Sequence, residues 1–450
     1  TVIDSGKGIT IQGSNVDIGG HGLVTAKGDI NVVSGYDVKT SSEQIEKSGF
    51  VYKGGETTDE LEKTAVSSRV NAKGSLYAKS DGNILLHGSD MTADGDLAME
   101  AEKGIGVVSA ENIKDRRHTS SDEWGFWYSK QTEEQDSSIT QTEALAGTGG
   151  DLSMIAKEDI NIIGSKVSSK GNANIDAAKN LTIASAVESD YHYKMEEERK
   201  FDGVSFSTTR SSASLSLHQK GSRTTDETTT LTQKASSLEI GGNLATNSGD
   251  DTTIAASDVV ANGDINMNAG GNLNVVSEDQ VQETIDKDAE IKNTISLTLR
   301  NNWVETAYQV GDSIEAVKEA AHANDGSSSG EVNSAVAKAK AGMAVLQAAK
   351  TIESGAKSAA TAGTFGFEVA VEQKLEVSEQ ESNTKETTAR GSSIVSLGGN
   401  VALDAKNDLN IKGSNVGAAE GDISLAAGNE VNITAAQNTT KTSSNSSYHS

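Results

Sequence analysis

The chain has 450 residues, and its 39 Lys and Arg against 65 Asp and Glu leave a formal net charge of −26. That balance argues against nucleic acid as a partner, because neutralising phosphates takes clustered Lys and Arg, and against charge-driven binding to anionic lipid. The absence of Cys rules out disulfides and thiolate metal sites, and Pro is absent where average usage predicts about 22.

In chain order, the first readable element is already repetitive. Gly6-Lys7-Gly8-Ile9 reads as coil, so Thr1 begins mid-pattern with no signal peptide ahead of it, as expected for a piece of a longer filament. Coil runs are expected over about 7–35, 70–108, 148–187, 236–276 and 393–436. They share the phrase Gly-Asp or Gly-Asn, an aliphatic, a small polar residue and another aliphatic, as in Gly28-Asp29-Ile30-Asn31-Val32, Gly150-Asp151-Leu152-Ser153-Met154 and Gly263-Asp264-Ile265-Asn266-Met267. Gly150 to Gly171 and Gly242 to Gly263 are both 21 residues, and Gly399 to Gly421 is 22. An offset copy lies between, Asp159-Ile160 preceding Asn180-Leu181, and a third phrase closes the turn: Gly13-Ser14-Asn15-Val16, Gly88-Ser89-Asp90-Met91, Gly164-Ser165-Lys166-Val167. Each phrase alternates apolar and polar residues, the two-residue period of a strand with one buried face. Three short strands and three tight bends in about 21 residues describe a right-handed parallel β-helix, an all-β solenoid. Such coils stack on both sides and leave no place for Pro. Their thin aliphatic core matches the 35% apolar and 4% aromatic content. About ten coils at ~4.8 Å each would give a solenoid on the order of 50 Å long.

Between the runs lie excursions at about 36–69, 109–147, 188–235 and 277–392, rich in Ser, Thr and charge. Returns into the coil share a signature: Ser67-Ser68-Arg69-Val70, Ser236-Ser237-Leu238 and Ser392-Ser393-Ile394. Of 17 aromatic residues only Tyr77 falls in a coil run. Alternating segments such as Phe201-Asp202-Gly203-Val204-Ser205-Phe206, Ile295-Ser296-Leu297-Thr298-Leu299 and Phe365-Gly366-Phe367-Glu368-Val369 read as hairpin strands. The excursions are therefore expected to be β-hairpins packing their aromatics on the solenoid flank or on one another. Within the largest, stretches near 303–323 and 331–355 have helical spacing (Ala335, Val336, Ala339, Met343, Leu346, Ala349) and read as a helical hairpin.

Chemistry is sparse. Asp29, Asp96, Asp151, Asp159, Asp264, Asp408 and Asp422 recur at bends, which marks them as architectural; a carbohydrate-cleaving site would instead need carboxylates converging on one groove. The seven His are scattered, and turns such as Asp94-Gly95-Asp96 and Gly249-Asp250-Asp251 lack the glycine-rich calcium-roll phrase. No catalytic, metal or cofactor site and no small-molecule substrate is expected. The one local cluster suited to binding a partner is Trp124, Phe126, Trp127 and Tyr128, which could stack on sugar or dock a protein, or else cover the solenoid flank. Arg116-Arg117-His118 gives that excursion a local positive patch.

The coil phrases, the Gly-Ser-x-Val strand, Ser/Thr-rich excursions after phrases such as Asn180-Leu181-Thr182-Ile183-Ala184-Ser185, and the absence of Cys together resemble the haemagglutinin repeats of filamentous, two-partner-secreted exoproteins of Gram-negative bacteria. The second repeat region of contact-dependent growth-inhibition effectors is the most similar. The resemblance implies export through an outer-membrane secretion partner, with a periplasmic stage before display on the cell surface. It further implies a role as a stalk, or as the segment that helps pass a C-terminal toxin through a neighbour's envelope; a filamentous adhesin is the alternative. The excursion at 302–360 departs from the common repeat.

Overall fold

The computed structural model describes residues 1–124, 127–208, 212–300 and 368–450. The helical stretches near 303–323 and 331–355, together with Phe365–Phe367 and Phe126, lie outside the described residues. Within them the chain is a three-faced parallel β-helix of ten coils, with two ten-stranded sheets and one nine-stranded sheet running its length. Coil 5 shows the unit: Leu152–Ala156 on the first face, Ile160–Ile163 on the second and Lys166–Ser169 on the third. Its Leu152, Met154, Ile160, Ile162 and Val167 point inward and are essentially buried. The alternation read from the sequence thus becomes one dry core. Because each strand pairs in register with its counterpart a coil away, equivalent aliphatics stack in columns, as in Ile84, Ile105, Ile160 and Leu181.

The bends are held by side-chain ladders. Ahead of the first-face strands of coils 4 to 9, a side-chain Oδ1 accepts the backbone N–H of its counterpart on the next coil. The run passes from Asp96 to Asp151, Asn172, Asn243, Asp264, Asn400 and Asp422 at 2.7–2.9 Å. Ahead of each second-face strand a similar run links Asp159, Asn180, Asp251, Asn272 and Asp408. Here carboxylate and amide alternate coil by coil, which keeps like charges about 10 Å apart instead of ~4.8 Å and lets an Asn amide donate to its Asp neighbour. Glycine precedes the residues of the first-face ladder for a steric reason. A Cβ at Gly171 would lie 2.2 Å from Asp151 Oδ1, inside contact distance.

The third bend, between the second and third faces, explains the excursions. In odd coils it is one residue followed by serine, a glycine in every one but coil 7: Gly164 has φ of +57°, and the Ser165 hydroxyl donates to the Ile163 carbonyl at 2.9 Å. In even coils the excursion takes the glycine's place. Ser236 donates to the Ala184 carbonyl at 2.6 Å, Ser68 to Val33 at 2.7 Å and Ser392 to Val276 at 2.8 Å, so the same clasp closes across the inserted chain. This is the physical content of the serine signature at each return. Ala144 occupies the position in the second excursion and has no hydroxyl to give.

The excursions do not lie back on the coils. Gly35–Ser48 with Tyr52–Val66, Ala110–Trp124 with Tyr128–Thr142, Ala186–Thr208 with Ser212–Lys234, and Glu278–Arg300 with Glu368–Arg390 are antiparallel hairpins. Joined edge to edge, with Thr439–His449 added at one side, they form a single nine-stranded flank sheet. The pitch makes this fit. Two coils rise about 9.6 Å, and the two strands of one hairpin occupy the same ~9.6 Å, so one excursion per two coils fills the flank without gap or overlap. Gln side chains fasten the hairpin bases: Ser109 donates to Gln141 Oε1 at 2.8 Å while Gln141 Nε2 donates to the Val187 carbonyl of the next hairpin, and Gln233 repeats this between Ser185 and Asp279. In the first hairpin the equivalent position is Ala65, and the buried Ser34 hydroxyl is left without a partner.

Candidate functional site at the hairpin tips

Tyr52, Trp124, Trp127, Tyr128 and Phe201 gather toward the far ends of the hairpins, while Tyr36, Tyr191 and Tyr193 sit nearer the bases. Trp124 closes a strand of 15 residues, which places it roughly 50 Å out from the coil corner at ~3.4 Å per residue. Tyr52 lies directly opposite Trp124 across the junction between the first two hairpins, and their rings meet at 5.2 Å between centroids. Tyr128 pairs with Trp124 within the hairpin and so shares that face. The next residue along the neighbouring strand from Lys200, the partner of Tyr128, is Phe201; it points to the opposite face and takes the edge of Trp127 at 5.1 Å. Two ring pairs therefore clasp adjacent hairpin tips, one on each side of the sheet. The rings meet rings of neighbouring hairpins and do not cover the solenoid. Trp124 and Trp127 nevertheless keep 54% and 61% of their surface open.

Polar groups around the rings fix their geometry. The Tyr52 hydroxyl donates to Asp122 Oδ1 at 2.5 Å, and that bond holds the phenol above its ordinary pKa. Burial, then the Glu198 carboxylate, raises the Tyr128 phenol. The positive patch upstream is answered strand by strand. Arg116 lies 3.4 Å from Glu60 and 3.8 Å from Asp136, Arg117 lies 2.6 Å from Glu133, and His118 Nδ1 shares a hydrogen bond with Thr58.

A second surface was not singled out by sequence reasoning. Beyond the register shift at Asp202, Val204, Leu217 and Ile295 form one cross-strand row, and Phe206, Leu215, Leu297 and Val371 the next, all on one face. Phe206 is 66% exposed. The other face carries hydroxyl pairs, Ser214 with Thr298 at 2.9 Å and Ser216 with Ser296 at 2.7 Å. The signal was present as strict alternation in Ile295-Ser296-Leu297-Thr298, but strand order was needed to assemble it.

The bend aspartates are engaged by the scaffold, as described above, and do not converge on a groove. Among the described residues no group of three or more His, Asp or Glu is placed to hold a metal ion. No helix there is long and apolar enough to cross a membrane.

Among curated proteins, the chain is 25% identical over 186 residues to a 16S rRNA endonuclease CdiA of Enterobacter cloacae subsp. cloacae, covering 38% of this chain and 6% of that protein. It is 28% identical over 194 residues to a hemolysin of Proteus mirabilis, covering 40% of this chain and 11% of that protein. The chain thus spans only a small part of the length of these relatives. No solved structure matches it. The model of the hemagglutinin repeat matches residues 51–126, 124–291 and 374–450, taking in both coils and hairpins. The chain belongs to the hemagglutinin-repeat family.

Proposed function

We propose that this chain is a non-enzymatic stalk segment of a large secreted exoprotein of a Gram-negative cell surface, exported through an outer-membrane partner, and that it helps carry a C-terminal toxin to neighbouring bacteria. The observation that carries the reading is the pitch-matched pair of scaffolds. A stiff coil stack and a flank sheet advance together, and the repeated carboxylates serve the coil ladders. Such a rod projects whatever follows it away from the surface. The likeness to a protein named as an endonuclease, over a repeat-bearing 6% of its length, supports a non-catalytic role for this part.

The test is competition between cells. In the full-length protein, residues 74–398 are removed in frame, joining coil 2 to coil 9 at equivalent positions. Surface display retained with loss of neighbour inhibition supports a delivery segment; inhibition at the undeleted level removes that reading. A filamentous adhesin is the second reading, favoured by the exposure of Trp124 and Trp127. It requires that W124A/W127A, with an unchanged circular dichroism spectrum, lose attachment to cells; attachment at the parent level counts against it.

A further inference from the structure

Coil 7, made of Leu244–Ser248, Thr252–Ala255 and Asp258–Ala261, differs from its neighbours in three independent ways. Two aliphatic columns are interrupted there. Thr246 stands between Ile175 and Met267, and Thr252 between Leu181 and Leu273, each Thr fully buried. Thr252 finds Ser248 at 2.8 Å, but the Thr246 hydroxyl is buried without a partner, which costs stability wherever it occurs. At the third bend, where Gly13, Gly88, Gly164 and Gly413 take φ of 54–58°, coil 7 has Ala256 at +44°. A Cβ in that left-handed region is strained.

The strained corner is held from outside the coil. Arg390, the last residue of the fourth excursion's returning strand, donates through Nη1 to the Ala256 carbonyl and through Nη2 to Asp258 Oδ2 at 3.0 Å. A charge-assisted contact of this kind is among the stronger polar contacts a folded chain makes.

We propose that coil 7 is a seam at which the solenoid opens before its neighbours do, and that Arg390 is the latch that keeps it shut. In a stack where each coil touches only the two beside it, stability is a sum of local terms, so one poorly filled coil divides the rod into two cooperative blocks. The latch ties that division to the fourth excursion: seating its returning strand secures the seam, and withdrawing the strand frees it. The inference stands whether the rod serves delivery or adhesion.

Amide hydrogen exchange on the whole chain, read by mass spectrometry of peptides from coils 5 to 9, tests it. The expected pattern is a minimum of protection at coil 7, with exchange there on the order of tenfold faster than in coils 6 and 8. T246V and A256G, which remove the two defects and should not impair folding, are each expected to slow exchange in coil 7 by roughly threefold to tenfold. R390A is expected to speed it while leaving coils 3 to 5 unchanged. Protection that falls smoothly toward the C-terminus, with coils 8 and 9 more open than coil 7, would overturn the seam. So would T246V and A256G leaving coil 7 as it was. R390A acting equally on every coil, or on none, would overturn the latch.

Discussion

The solenoid and its flank sheet are built from strands at the same spacing, yet they hold together by different physics. In the coils nearly every inward side chain is an aliphatic that stacks on its counterpart, and burial carries the structure. In the flank sheet, Tyr52–Val66 carries Lys53, Glu56, Asp59, Glu60, Glu62 and Lys63 and buries none of its residues. Cross-strand rows such as Glu60, Arg116 and Asp136 alternate in charge, His192 extends that row through a hydrogen bond with Asp136, and backbone pairing to both neighbours does the rest. The comparison teaches that a polar sheet persists here because a hydrophobic one beside it delivers each hairpin at the right height.

Breaking the coil should therefore cost most. I162A empties a fully buried column position and is expected to lower stability by ~2–5 kcal/mol, seen as a shifted denaturant midpoint. G164A adds a side chain at φ +57°, 2.6 Å from the Ala186 Cβ, and should cost roughly 1–3 kcal/mol by the same measurement. The flank should answer to smaller changes. A144S restores the clasp absent from the second excursion, and A65Q offers a partner to the Ser34 hydroxyl; each is expected to gain about 0.5–1.5 kcal/mol.

Acid should separate the two regions. Lysine partners hold Glu62, Glu196, Glu198, Glu290 and Glu376 of the flank below the usual carboxyl range, and the Asn383 amide, then Lys385, does so for Glu283. A depressed folded pKa gives stability that is present above the unfolded value, about 4.3 for Glu, and lost as pH falls through the folded value. In the coils burial raises Asp90, so protonating it favours the fold, although Glu100 and Glu239 behave like the flank group. Hydrogen exchange should show flank amides losing protection on acidification before coil amides do; simultaneous loss would mean that the ion pairs do not distinguish the regions.

What was legible in the sequence follows from the same contrast. A coil must return to the same place every 21 or 22 residues, so the glycines, the Asp and Asn ladders and the buried aliphatics recur and can be read directly. The hairpins meet no such demand along most of their length. Both faces are solvated, and segments such as Glu56-Thr57-Thr58-Asp59-Glu60 carry no period that would announce a strand. Alternation appears only distally, at Phe201–Phe206 and Ile295–Leu299, where one face turns apolar. That the excursions would join into one sheet was not written in any single segment. The Trp124 cluster was visible as a local concentration of rings, whereas its partners Tyr52 and Phe201 were brought to it by strand pairing across neighbouring hairpins.

The central claim is that the flank sheet exists because two coils and one hairpin share a pitch. The most direct measurement compares two deletions by hydrogen exchange. Removing residues 74–94 takes out one coil without an excursion and brings the first two hairpins a coil too close. Removing 74–149 takes out two coils with their hairpin and keeps the phase. The account predicts that the one-coil deletion strips protection from Tyr52–Val66 and Ala110–Trp124 while leaving the remaining coils intact, and that the two-coil deletion preserves a continuous flank sheet. A flank sheet equally protected after both deletions would contradict it.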